Sequence, residues 1–280
     1  MELKQEFEYF LEQKEIKINE QERYSVFAVE LLSQLNQGKI RVAEQIDGVW
    51  HTNTWIKEAI LLLFKFGKLT DYSIDNNFRY YDKDTIPLRP IFKEENIRIV
   101  PGGSSVRSGS YIAKGVIVMP PAYINIGAYI DEGTMVDSHA LVGSCAQLGK
   151  NIHLSAASQI GGVLEPANAL PVIIEDNVMI GGNCGIYEGV IVRKGAVLGS
   201  GVIITSSMKI FDIVNDDIIQ KEEGKTLEIP ENAVVVAGSR ILNSDFAKTN
   251  GLSLYTPIII KYRDKSTSAK TALNEILRIK

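Results

Sequence analysis

The sequence predicts a mainly β protein, a parallel β-solenoid wound from hexapeptide repeats behind a small α-rich N-terminal domain. Three observations predict it. An aliphatic residue recurs every six positions from Val106. A small or aliphatic residue recurs four positions after each of these. The remaining positions are rich in Gly, Asn, Asp and Ser, as at Asn125, Gly127, Asp131, Gly133, Gly143, Gly149 and Asn151.

The first series runs Val106, Ile112, Val118, Ile124, Ile130, Val136, Val142, Leu148, Leu154 and Ile160, ten aliphatic residues without exception. Such residues make up about a quarter of an average sequence, so ten in succession has odds of order one in a million. The series restarts at Ile174 and runs through Ile180, Ile186, Val192, Leu198, Ile204 and Ile210, and the pair Ile229 and Val235 keeps the spacing. Neither a 3.6-residue nor a 2-residue period accounts for this. A hexapeptide does: one short strand and one corner per repeat, with three repeats closing a triangular coil. The aliphatic fills the interior, and the small residue at Ser110, Val116, Ala122, Ala128, Thr134, Ala140 and Ala146 fits where the corner narrows. Gly and Asn supply the backbone angles of the turn. Coils stacked at the usual strand spacing pile the aliphatics into continuous ladders.

The phase breaks twice. From Ile160 to Ile174 the spacing is two residues more than two repeats, and the Pro-flanked stretch 164–171 is expected to leave the coil as a loop. The polar stretch 211–228 reads as a second excursion, in the manner of a hairpin. Insertions in solenoids gather on one face and are often functional.

Residues 1–95 lack the repeat. Stretches 6–17 and 20–35 have helical character, and 38–43 reads as a strand. Asp47-Gly48 is a turn signal before Trp50. Stretch 55–66 is a third helix with Ile56, Ala59, Ile60 and Leu63 on one face. This domain can shield the open edge of the first coil, which otherwise invites edge-to-edge pairing. Residues 96–245 form the coil domain. Residues 246–280 form a C-terminal cap, with a strand over 252–262 and a short helix over 268–280.

Composition narrows the function classes. The chain has 280 residues, 45% hydrophobic and 23% charged, with a formal net charge of −4 and no basic block to suggest nucleic-acid binding. The polar start, residues 1–6, is not a signal-peptide core, and the longest apolar run, 59–64, is too short for a bilayer. The chain therefore reads as cytoplasmic, with no membrane association. Cys145 and Cys184 form no metal motif, and a disulfide is not expected in a reducing compartment.

Hexapeptide coils of this type resemble the left-handed parallel β-helix, and one large class that uses it, the hexapeptide acyltransferases. Those are typically homotrimers with acyl donors in the groove between neighbouring helices. A closer resemblance lies in VMPPAYINIGAYIDEGTMVDSHALVGSCAQLGK (118–150), NIHLSAASQIGGVLEP (151–166), RVAEQIDGVWHTNTW (41–55) and RYYDK (79–83). These runs look like the tetrahydrodipicolinate N-succinyltransferase family, over nearly the whole chain. The resemblance implies succinyl-CoA as co-substrate, no permanently bound cofactor and a homotrimer. It also implies direct attack of the acceptor's amino nitrogen on the thioester, in the succinylase branch of lysine and diaminopimelate synthesis. Such chemistry needs a base for the nitrogen proton, donors for the tetrahedral oxyanion, and a cation for the acceptor carboxylates.

The resemblance assigns Asp137, in GTMVDS, as the catalytic, substrate-binding aspartate; otherwise it is a turn residue of the coil surface. It assigns Arg98 to an acceptor carboxylate, and Gly161-Gly162 to the acceptor's side through backbone N–H groups; Arg107, near Arg98 in sequence, is expected to assist. Those glycines also suit the turn before the loop. Gly199, Ser200 and Gly201 would let the donor's pantetheine approach the backbone, and Lys209, Arg240 or Lys261 would meet its phosphates. His139, two residues from Asp137, is read as structural, as are His153 and His51. Cys184 falls on the small-residue ladder, and an amine acceptor needs no covalent relay through it or Cys145. One departure stands out. The glutamate that some members carry three residues before Glu188-Gly189-Val190-Ile191-Val192 is here Gly185, which leaves Glu188 as a substitute or Asp137 acting alone. The alternatives are an acetyl donor on the same acceptor, a zinc enzyme of the γ-carbonic-anhydrase kind, for which the coil offers only His139 and His153, and a noncatalytic solenoid.

Overall fold

In the computed structural model, which describes residues 2–264, the six-residue period becomes a left-handed parallel β-helix. Each repeat contributes a two-residue strand, such as Tyr129–Ile130 or Met135–Val136, whose second residue is buried while the first faces outward. Ile112, Ile130 and Leu148 stand in register, so three repeats make one coil. The three faces follow. Face one runs from Tyr111–Ile112 to Glu228–Ile229, face two from Arg98–Ile99 through Val197–Leu198 into Ala233–Ile241, and face three from Ser105–Val106 to Ile203–Ile204. The interior column from Val118 to Val235 is almost wholly shielded from solvent. Each such side chain contributes on the order of 1.5–3 kcal/mol of hydrophobic stabilisation.

The residue three places after most of the ladder aliphatics takes a left-handed backbone. Gly133, His139 (φ 61°), Cys145 (φ 67°) and Asn151 (φ 54°) occupy successive corners of this kind. Gly and Asn adopt that conformation at little cost, which explains their frequency there.

Both insertions sit within single corner steps. Ile160 lies on face three and Ile174 on face one, the next face in rotation. Fourteen residues therefore replace six, an excess of eight rather than the two counted from spacing alone. A solenoid must return to the same face every third repeat, so the count follows the face and not the nearest multiple of six. The second excursion carries an antiparallel hairpin, Ile210–Asp212 with Asp217–Ile219. Ile210 keeps the ladder spacing and is buried, yet its strand leaves the coil, and Phe211 pairs with Ile258. Face one resumes only at Glu228–Ile229. Asp212 ends the strand by accepting the N–H groups of Val214 and Asn215.

The end of the coil is closed by Ala233–Ile241 paired antiparallel with Ser253–Tyr262, close to the strand read over 252–262. The last strand of face three has no coil beyond it; the Tyr255 hydroxyl accepts the Ile203 N–H (2.7 Å) and donates to the Ile203 carbonyl (3.1 Å). The helix read over 268–280 lies outside the described residues.

At the other end, helices α1 (Leu3–Leu11), α2 (Gln21–Asn36) and α3 (Thr54–Phe66) pack a second core. Helix α1 stops at Leu11 rather than 17, because residues 12–15 are all polar and give nothing to bury beyond Phe7 and Phe10. The strand expected over 38–43 begins only at Ala43. Gly38 is left-handed (φ 67°), and the N–H groups of Gly38 and Lys39 turn back to the carbonyls of Leu35 and Gln34, completing the end of α2. The strands are Ala43–Ile46 and Val49–Thr52, joined by Asp47-Gly48 with positive φ at both residues. This hairpin lies against face one, where Ala43 and Trp50 pack on Ile173 and Ile191. The second core takes in Ile126 and Cys145 from the coil. Asn36 fastens α2 to the first coil, donating to Ser108 Oγ (3.0 Å) and accepting the Gly109 N–H (2.8 Å).

Candidate active site

Asp137 follows the buried Val136 and begins the corner between faces two and three. Its N–H bonds to Leu154 (2.9 Å), and its Oδ1 accepts the Ser138 N–H (2.7 Å). That leaves Oδ2 available at a half-buried surface. Backbone bonds place Ser155, Gly181 and Gly199 in successive coils directly beneath it. At this first corner position nothing larger than Ser follows Asp137 down to Gly199, a span of about 14 Å at the usual strand spacing, while His139 and Asn183 stand two places further round the same corners. At its far end, Gly201 has open space where a Cβ would stand. Lys209 is exposed beyond the last strand of face three.

Arg98 is exposed on face two, in register with Ile117 and then Met135, so it sits two coils above the Asp137 corner on the same side of the prism. Arg107 lies elsewhere. It follows face three at the opposite edge, pairs with Asp82, and donates to the Tyr123 hydroxyl (3.0 Å). Within one chain Arg107 thus stands across face three from the Asp137 edge, with its guanidinium paired to Asp82.

Gly161 and Gly162 stand on the Arg107 edge, below Asn125 and Gly143. The Gly161 N–H is spent in the ladder, donating to Ile186 (2.7 Å), so it is not offered to a ligand as the sequence suggested. Close packing explains the pair. A Cβ on Gly161 would meet the Tyr187 ring at 2.6 Å, and one on Gly162 would meet Ser144 N at 2.7 Å. Loop 164–171 folds back beside them and encloses a cleft of about 700 Å³ lined by Gly161, Gly162, Glu165, Tyr187, Glu188 and Lys221.

The departure at Gly185 has a steric cause. Tyr187 bends over face three, donates to Gln159 Oε1 (2.9 Å), and covers the space a side chain at 185 would need. Glu188 does not replace that chain. It points to the next corner, where it accepts from the N–H (3.1 Å) and hydroxyl (2.7 Å) of Ser206.

The remaining polar candidates lie as follows. His139 occupies a left-handed corner with its N–H on Pro121 (2.6 Å). His153 is an outward residue of face two, and His51 lies on the N-terminal hairpin. Burial pushes the Cys145 thiol up to about 12 and the Cys184 thiol up to about 11, so neither ionises near neutral pH. Sequence reasoning missed Tyr187, whose position depends on the coil register, and Lys57. The signal for Lys57 was a charge set between Ile56 and Ile60 of the apolar stripe of α3, and it is fully buried.

A stacked hexapeptide coil with an aspartate at the head of a column of small residues fits the class of hexapeptide-repeat acyltransferases. Family descriptions agree. That for the tetrahydrodipicolinate N-succinyltransferase N-terminal region matches residues 2–66, and that for the hexapeptide repeat of succinyl-transferase matches residues 171–206. Among curated relatives, the 2,3,4,5-tetrahydropyridine-2,6-dicarboxylate N-succinyltransferase of Rickettsia conorii is 48% identical over 257 residues, covering 89% of this chain and 88% of its own. The proteins of the same name from Legionella pneumophila (46%, covering 89% and 87%) and Pasteurella multocida (43%, covering 89% and 87%) are similar throughout. The chain belongs to the tetrahydrodipicolinate N-succinyltransferase family.

Proposed function

We propose that this chain transfers the succinyl group of succinyl-CoA to the amino group of tetrahydrodipicolinate, giving N-succinyl-2-amino-6-oxopimelate for lysine and diaminopimelate synthesis in the cytoplasm. The observation that carries the reading is Asp137 at the head of the column Ser155, Gly181 and Gly199, in a chain whose relatives bear that activity's name over 89% of its length. The pantetheine arm of the donor lies along Ser155, Gly181 and Gly199, with Gly201 allowing close approach and Ser200 and Lys209 toward the nucleotide end. The acceptor nitrogen attacks the thioester carbonyl and loses its proton to Asp137 Oδ2. The tetrahedral intermediate expels the CoA thiolate, which takes up a proton, and the hydrated acceptor ring opens. Asp137 acts without a second carboxylate at 185. Arg98 holds an acceptor carboxylate.

Asp137 and the pair Gly161-Gly162 lie on different edges of one prism, each facing outward. This supports a homotrimer in which the edge of one protomer meets the other edge of its neighbour, and in which Gly162 and Arg107 serve the neighbour's site. The test is release of free thiol from purified protein with tetrahydrodipicolinate and either succinyl-CoA or acetyl-CoA. Release with succinyl-CoA that is lost in Asp137→Asn supports the reading. Preference for acetyl-CoA would move the donor, and no release with either would overturn it.

A further inference from the structure

Lys57 is a fully buried residue of α3, on the helix whose other buried residues include Ile56, Ala59, Ile60 and Leu63. Among the described residues no carboxylate stands within ion-pair reach of its ammonium. Its two acceptors are main-chain carbonyls of one loop: Ala169 at 2.8 Å and Pro166 at 3.1 Å. The same two residues close a turn, with the Ala169 N–H on the Pro166 carbonyl at 3.0 Å. The ammonium thus bridges both ends of the turn that shapes the insertion.

The insertion has other fastenings, and they show what the lysine adds. Leu164 packs on the N-terminal core, and Leu170 packs with Ala43, Ile173 and Ile191. The corner at Gly189 is so close to the loop that a Cβ there would stand 2.5 Å from the Leu170 carbonyl. These contacts hold the two ends of the loop. Between them, Glu165, Pro166 and Ala169 line the cleft beside Gly161 and Gly162, and Lys57 holds this stretch from beneath. A buried cation without a counter-charge is a poor way to stabilise a fold, since an apolar chain of the same length avoids the desolvation cost. Burial also lowers the ammonium's pKa. The bonds it makes are directional, however, and they select one loop shape.

We propose that Lys57 is a positioning residue for the transfer reaction, fixing loop 164–171 in the form that completes the cleft beside Gly161-Gly162. This rests on the function proposed above. It assigns the N-terminal helical domain a part in the reaction besides covering the coil.

The test compares Lys57→Met, of similar length and uncharged, with Lys57→Arg, which keeps the cation and its donors. Thermal melting, hydrogen exchange over 164–171, and KM and kcat for each substrate are read on all three proteins. Expected for Lys57→Met is a melting temperature no lower than wild type, exchange in the loop at least tenfold faster, and kcat/KM for the acceptor down at least tenfold. KM for the CoA donor stays within twofold, and Lys57→Arg recovers most of the loss. Wild-type exchange and kinetics in a folded Lys57→Met would overturn the proposal. So would failure of both variants to fold, since the lysine would then serve the fold itself. Absence of turnover in the wild type would count against the proposed function, while the exchange comparison would still test the loop.

Discussion

The Tyr187 ring lies against Gly185 so closely that a Cβ at 185 would come 2.5 Å from Cε2 and 2.7 Å from the hydroxyl oxygen. The two residues are therefore one choice: with Tyr187 bent over face three and bonded to Gln159, position 185 has room only for glycine.

Gly185→Glu is expected to displace the Tyr187 ring and lower stability by about 1–3 kcal/mol, the range for overpacking a close-packed site. Gly185→Glu combined with Tyr187→Ser should recover most of that loss. Thermal melts of the two variants against wild type check it, and equal melting in both would sink the pairing.

Asp137→Asn keeps an oxygen that can accept the Ser138 N–H, so the corner should survive. Loss of the base is expected to reduce kcat by about 100-fold or more, the usual scale of general-base catalysis. The melting temperature should stay within a few degrees. Thiol release and a melt on the same preparation separate the two effects.

Asn36→Ala removes the acceptor of the Gly109 N–H and the donor to Ser108, where the N-terminal helices meet the first coil. An unpaired, shielded amide costs about 1–3 kcal/mol. Denaturant titration should show that loss with activity per folded molecule unchanged.

The cysteines predict a pH dependence. An unfolded thiol titrates near ~8.5, whereas burial raises Cys184 to about 11 and Cys145 to about 12. The native state therefore retains protons that the unfolded chain gives up. The contribution is full below about pH 8.5 and is lost as pH rises toward about 11 for Cys184 and about 12 for Cys145, at up to about 1.4 kcal/mol per pH unit for each thiol. Chemical denaturation at pH 8 and pH 10, compared with Cys145→Ala and Cys184→Ala, measures it. At pH 8 an aromatic disulfide reagent should react with both thiols only after unfolding.

Much of this molecule is legible along the chain because a β-helix is built by local repetition. The period of six sets the strand, the corner and the interior residue together, so Val106 to Ile160 can be assigned before any contact is known. The aspartate of GTMVDS was legible for a similar reason: its place after Val136 fixes it at a corner. What required the tertiary structure was every relation that depends on counting coils or crossing between elements. The eight-residue excess at 164–171 follows from which face Ile174 rejoins, not from its distance in sequence to Ile160. Arg107 has a partner in Asp82, twenty-five positions away on the strand Tyr81–Lys83. The strand at 43–46, the ring over Gly185 and the lysine beneath Ala169 belong to the same kind. Hexapeptide periodicity dictates what each residue does within its own coil; only packing between coils, loop and N-terminal helices decides which side chains meet, because those contacts join stretches whose separation along the chain carries no information about their distance in space.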